Sequence, residues 1–285
     1  VPISPLARFV TSIKSTDKSL RNPAERLLAI IDAYTLTGEF DKYITQHADD
    51  VARYLKPDTV RPGRWRASAA GKCVQQQVFA AAQKLMPGRV DCPAAIKRKA
   101  ETHRALNYGT LFHVGKHLLF DALHERGDVT TLYAEDLRYD KATQMSGTVD
   151  RVIEFPFDGT TVRAILDFKS MKSLYFDVLL EPTPEHTMQL TAYSLFGYEA
   201  DWYILLYENK DTHRLKIYAR RFDDVIVQAV IDNLRKMNNW IDLLLVGAIN
   251  DQLPHMPLIT TWCNWCEYNA PCKKLNPDRD GKVVH

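Results

Sequence analysis

The chain has no uninterrupted apolar run near the roughly 20 residues that a membrane-spanning helix needs. Nothing between Val1 and Thr11 resembles the charged, then apolar, then small-residue order of a secretory signal. It has almost no net charge: 37 basic against 35 acidic side chains leave +2, which excludes a histone-like binder whose affinity rests on bulk charge. A local basic groove remains compatible with that balance. No internal repeat or low-complexity tract occurs, and no G-x-x-x-x-G-K-[ST] phosphate loop, so any unwinding of a duplex must come from another protein. Cysteine is scarce and odd in number, five in 285 residues, a poor basis for a disulfide scaffold. At 46% apolar and 25% charged residues, a chain of this length buries a large core without cross-links. The expectation is a cytoplasmic protein that does not enter a membrane.

What is present begins as helices. Asn22-Pro23-Ala24-Glu25 supplies an N-cap, a first-turn proline and an early acid, and Leu27, Ala29, Ile30 and Ala33 follow as an apolar stripe. A second helix covers about 40–55, and another starts near Ser68 and carries Cys73. A long one runs from about 94 to 126, with Leu106, Leu111, Leu118 and Ala122 at helical spacings. The period then changes to that of strands, at 132–138, 147–155 and 162–169. A helix holding Met188 to Phe196 follows, then strands at 202–207 and 215–222. The last helix is striped by Ile226, Val230, Leu234, Met237, Ile241 and Leu244. This order predicts an α/β (α+β) domain over 67–285, a mixed central sheet flanked by helices, behind a helical N-terminal extension over 1–66.

Ala164-Ile165-Leu166 reads as a strand buried on both faces, yet it runs into Asp167-Phe168-Lys169. Charges are rarely buried unless paired or metal-bound. Residues i and i+2 of a strand share a face, so Asp167 and Lys169 project together. Asp150, in Ser146-Gly-Thr-Val-Asp150, reaches the same point if the two strands pair. Two carboxylates can hold a magnesium or manganese ion, which polarises a phosphate. An adjacent ammonium can orient or deprotonate a water, or neutralise charge on the phosphorane. A surface hairpin closed by an Asp–Lys salt bridge accounts for the same residues. Gly109-Thr-Leu-Phe-His113 places an imidazole on the long helix as a possible further ligand, although neighbouring His117 shows how little one histidine decides. Gln189 and Tyr193, four apart, share a helix face from which they could reach a phosphate or a water, or merely pack.

Taken in order, His113, Asp150, Asp167-x-Lys169 and Gln189-x-x-x-Tyr193 resemble the RecB-like branch of the PD-(D/E)xK nucleases, whose motifs run G-x-x-x-H, G-x-x-D, D/E-x-K and Q-x-x-x-Y. The resemblance implies a restriction-endonuclease-like fold and hydrolysis of DNA phosphodiesters with magnesium or manganese. It implies His113, Asp150 and Asp167 as metal ligands, Lys169 as the catalytic lysine, and Gln189 and Tyr193 on the DNA side of the site. Asp167 stands where many relatives carry Glu, and Glu135 on the first strand is a looser candidate for the site.

Cys263-x2-Cys266-x5-Cys272 offers three thiolates to one centre, and Cys73 or Cys92 could supply a fourth. On spacing alone, zinc and an iron–sulfur cluster are both open. The order of one cysteine before the nuclease core and three after it is similar to the iron–sulfur members of the branch, among them the AddB nuclease domain and CRISPR-associated adaptation exonucleases. That resemblance implies a 4Fe–4S cluster on Cys73, Cys263, Cys266 and Cys272, clamping the C-terminal end to the start of the nuclease domain, with zinc as the alternative.

Arg61, Arg64, Trp65, Arg66 and Lys72 form a basic, aromatic-bearing stretch that could line a strand entrance or be a solvated loop. The function expected is a DNA exonuclease on single strands or free ends, prokaryotic or phage-encoded, working beside recombination, repair or CRISPR-adaptation proteins. The alternatives are a structure-specific endonuclease and a non-catalytic module that binds DNA or a recombination partner.

Overall fold

Asn22 caps the first helix as its sequence predicts, its side chain accepting from the Ala24 amide at 3.0 Å. The computed structural model describes residues 22–55, 62–85 and 100–246, together with Cys266 and Tyr268. Among the described residues three α-helices come first, α1 (Pro23–Leu36), α2 (Glu39–Gln46) and α3 (Val51–Tyr54), then the short strand β1 (Trp65–Arg66) and α4 (Val74–Leu85). The long helix α5 (Ala100–Glu125) leads into β2 (Thr130–Asp140), β3 (Met145–Phe157) and β4 (Thr160–Met171). After α6 (Ser173–Val178) and α7 (Pro184–Tyr193) come β5 (Trp202–Asn209), β6 (Leu215–Arg221) and α8 (Asp224–Leu245). Cys73 lies just ahead of α4 rather than inside it, and β1 is a strand too short for any periodicity to announce. Among the described residues, no helix is long and apolar enough to cross a membrane.

The six strands form one mixed sheet flanked by helices. β2 pairs antiparallel with β3 on one edge. The other edge of β3 is shared. It takes β1 in parallel at Met145 and Ser146, and β4 antiparallel from Arg151↔Leu166 to Phe157↔Thr160. The stretch 147–150 between those two partners is a gap in that edge. β5 then runs parallel to β4, and β6 antiparallel to β5.

Alternation along the strands divides the core in two. Ile165, Leu205 and Tyr207 pack on one face beneath Val78 and Phe79 of α4, Leu190 of α7 and Leu234 of α8. Ala164, Leu166, Phe168, Ile204 and Leu206 pack on the other beneath Leu27 and Ile31 of α1 and Phe120 of α5. Helices α1 and α2 thus share a core with the sheet, through Leu27, Ile30, Ile31, Tyr34 and Tyr43.

Gly147 opens the gap in β3. A Cβ there would lie 2.8 Å from Tyr193 Cε1, 2.9 Å from Ala67 Cβ and 2.9 Å from Phe196 Cε2. Two segments distant in sequence, at 67 and at 193–196, close on that one hydrogen. Gly147→Ala is therefore expected to cost about 1–3 kcal/mol by overpacking, read as a fall of several degrees in Tm. An unchanged melting curve would show that the junction is slack.

Candidate active site

The β3–β4 ladder stops at Arg151↔Leu166, and the next pair in the same register is Asp150 and Asp167. Both carboxylates are buried, 8% and 2% exposed. Asp150 Oδ2 accepts from the Phe168 amide at 2.7 Å, taking up a backbone donor that the ladder has left. Lys169, on the same face as Asp167, makes an ion pair with it. α5 crosses this point and brings His113 Nδ1 to 3.5 Å from Asp150 Oδ1. α7 adds the amide of Gln189, which donates to Asp167 Oδ1 at 3.3 Å and to the Tyr193 hydroxyl at 2.9 Å. Tyr193 in turn donates to the Thr148 carbonyl at 2.9 Å, inside the gap of β3. All six predicted residues thus line one cleft of about 540 Å³, with Arg66 and Lys210 on its wall.

Burial works against every charge here, and the neighbours decide each outcome. Burial pushes the Asp167 carboxyl up to about 6, with Lys169 pulling against it and Asp150 adding to it. The opposite holds for Asp150, where His113 and Lys169 outweigh burial and keep the carboxyl below its ordinary range. Burial would lower His113, and Asp150 more than restores it, so the imidazole holds its proton to higher pH than usual. Lys169 is likewise raised, because Asp167 and Asp150 overcome its desolvation. One ammonium and one imidazole stand beside the two carboxylates, where a divalent cation would serve. The donor set, two carboxylates and imidazole nitrogen, suits such an ion.

The structure adds His117 as a possible ligand and brings Glu135, the looser candidate, to the cleft. One ligating atom each of His113, His117 and Asp150 lie within 4.8 Å of one another, a trio to which Asp167 does not belong. The signal for His117 is its place one helical turn beyond His113. Ala134↔Arg151 and Asp136↔Val149 put Glu135 across β3 from Asp150, and Glu135 lines the cleft. Arg151, fully buried, donates to the His117 carbonyl at 2.5 Å, to Asp121 Oδ1 at 2.7 Å and to Thr131 Oγ1 at 2.9 Å, tying α5 to the sheet below the site. A Cβ on Gly109 would meet nothing within 4 Å, so packing does not require that glycine.

The basic stretch before Cys73 divides. Trp65 is core, not a stacking platform: it is buried, and its indole donates to Asn238 of α8 at 2.8 Å. Arg64 is paired with Asp242 at 2.7 Å, while Arg66 faces the cleft. Arg61 lies outside the described residues, as do Cys92, Cys263 and Cys272. Cys266 packs against the core cluster that holds Val74, the residue after Cys73. Tyr268 stacks on Phe79 at 5.7 Å and donates to Gln83 at 3.1 Å, so its side chain is fastened to α4.

No protein-family model and no curated protein matches the sequence. Similar solved structures include SSO0001, at 16% identity and a TM-score of 0.41, covering 83% of this chain and 95% of that one. LHK-Exo, an alkaline exonuclease from Laribacter hongkongensis, gives 13% identity and 0.40 over 64% of this chain and 92% of that one. Its complex with dAMP gives 14% and 0.39 over 65% and 92%. Likenesses of this size carry no functional argument.

A cation at this site would have to displace the protons that Asp167 holds below about 6 and that His113 holds above its usual range. Manganese affinity is therefore expected to rise with pH, by up to about tenfold per unit for each proton displaced, through about 6 where Asp167 titrates and on until His113 has lost its proton. Calorimetric titration from pH 5 to 8 checks this. An affinity independent of pH would place the cation elsewhere.

Proposed function

We propose that this chain is a metal-dependent deoxyribonuclease of the RecB-like PD-(D/E)xK type, an exonuclease that acts on single strands or free DNA ends. The observation that carries this reading is the meeting of Asp150, Asp167, Lys169 and His113 where β3 and β4 part, at the floor of an open cleft. A salt bridge needed only for stability would call for neither a second buried carboxylate nor an imidazole beside it.

His113, Asp150 and Asp167 would hold magnesium or manganese, and the bound ion supplies Lewis-acid polarisation of the scissile phosphate. Lys169 orients the attacking water and neutralises charge that develops on the phosphate oxygens. Gln189 keeps the Asp167 carboxylate in place, and Tyr193 braces Gln189 against the gap of β3. Arg66 and Lys210 are placed to receive flanking phosphates on the wall of the cleft. DNA is the substrate that this fold-and-motif reading names.

Cys73, Cys263, Cys266 and Cys272 are assigned to a 4Fe–4S cluster with a structural role. The attachment of Tyr268, two residues past Cys266, to the helix that begins after Cys73 supports it. A cluster of this kind joins segments far apart in sequence and makes its binding energy part of the folding energy. The proposed domain, 67–285, has its two ends closed in this way.

Digestion of single strands labelled at either end, with the protein purified anaerobically and supplied with manganese, tests the activity. Cleavage from one end is expected, and Lys169→Ala should lower it by about 10²–10³. Cleavage that survives in that variant would reject the site. Strand binding without cleavage by the unaltered protein would favour a binding module. The same preparation should be brown and carry about four iron atoms per chain. A colourless, zinc-rich protein would reject the cluster.

A further inference from the structure

We infer that His117 is a further protein ligand of the cation in this cleft, which gives the site a second imidazole and a preference for manganese over magnesium. This rests on the cation site proposed above and deepens it. His117 is buried completely, its ring stacked on Tyr54 at 4.5 Å and set edge-on to Phe168 at 5.4 Å. Its Nε2 lies 2.7 Å from Glu135 Oε1 without hydrogen-bond geometry, and neither ring nitrogen, both buried, has a hydrogen-bond partner among the described residues. A buried polar atom without a partner calls for one.

With its proton on Nε2, the ring would turn that proton toward this carboxylate and keep a lone pair on Nδ1 for a cation. A carboxylate behind an imidazole is the arrangement that orients metal-binding histidines and raises their basicity. Glu135 reaches this position through a strained backbone, with φ at +49° inside a strand. Its register places it opposite Asp150, the carboxylate whose ligating atom lies within 4.8 Å of those of His113 and His117. Arg151 holds the turn of α5 that carries His117 through its carbonyl, so the ring is fixed at both ends. Magnesium prefers an octahedron of oxygens and keeps its waters, whereas first-row transition ions accept imidazole readily. Two imidazoles therefore tilt the site toward manganese.

The full chain, purified anaerobically and titrated with manganese or magnesium alone, tests this without a cleavage assay. Pulsed electron paramagnetic resonance of bound manganese should show coupling to two imidazole nitrogens, and calorimetry should give a manganese affinity at least about tenfold above that for magnesium. His117→Gln should remove one coupling and lower manganese affinity about 10–100-fold. Glu135→Gln should keep both couplings with weaker binding. A single imidazole in the unaltered protein, or an unchanged spectrum in His117→Gln, overturns the assignment. Should His117→Gln fail to fold, the count in the unaltered protein and the behaviour of Glu135→Gln still decide it. Protein that binds no manganese removes the cation site along with this inference. Two couplings in a protein that cleaves no DNA leave His117 in place and remove the nuclease reading instead.

Discussion

Asp150 and Asp167 are buried one strand apart, just past the last bonded pair of β3 and β4, and the rest of the cleft is arranged around that strain. Two carboxylates taken from water cost several kcal/mol unless compensated. Lys169 compensates Asp167, and His113 together with the Phe168 amide compensates Asp150. The balance stays incomplete, since Asp167 is still pushed up to about 6. A pair of acids held this way is poised to accept positive charge. The fold supplies room for it by giving one edge of β3 to two partners with a gap between them.

The two helical layers do different work around this gap. α7 lies on one face and closes it with Tyr193 and Gln189, each hydrogen-bonded to the sheet side of the cleft. α5 belongs to the other face and delivers two histidines one turn apart. Its register is held by Arg151, a buried guanidinium whose bonds to Asp121 and to the His117 carbonyl leave that helix little freedom to slide. Removing one partner of such a buried charge exposes the cost of the other. The rigidity that positions the ligands thus comes from polar contacts that the apolar core alone would not provide.

Much of this was legible in the chain because it depends on short periods. The two-residue repeat of a strand is enough to put Asp167 beside Lys169, and the four-residue spacing of a helix is enough to align Gln189 with Tyr193. Asn22 announced the first helix by its own chemistry. What was not legible depends on contacts between distant segments. Trp65 sits among arginines, and only α8 reveals that it is core. His117 looks like any helix histidine until its ring is seen enclosed, and the need for glycine at 147 appears only when Ala67, Tyr193 and Phe196 are brought together. Of the proposed cysteine set, Cys73 and Cys266 are among the described residues and Cys263 and Cys272 lie outside them.

The central claim is that the two acids and the imidazole share one divalent cation. Anomalous diffraction at the manganese edge, from crystals grown with manganese chloride, addresses it without reference to any reaction. One peak is predicted within bonding distance of a carboxylate oxygen of Asp150, a carboxylate oxygen of Asp167 and a nitrogen of His113, with Lys169 drawn away from Asp167 by its new neighbour. A map with no peak in the cleft, and with the Asp167–Lys169 pair undisturbed, would contradict the account.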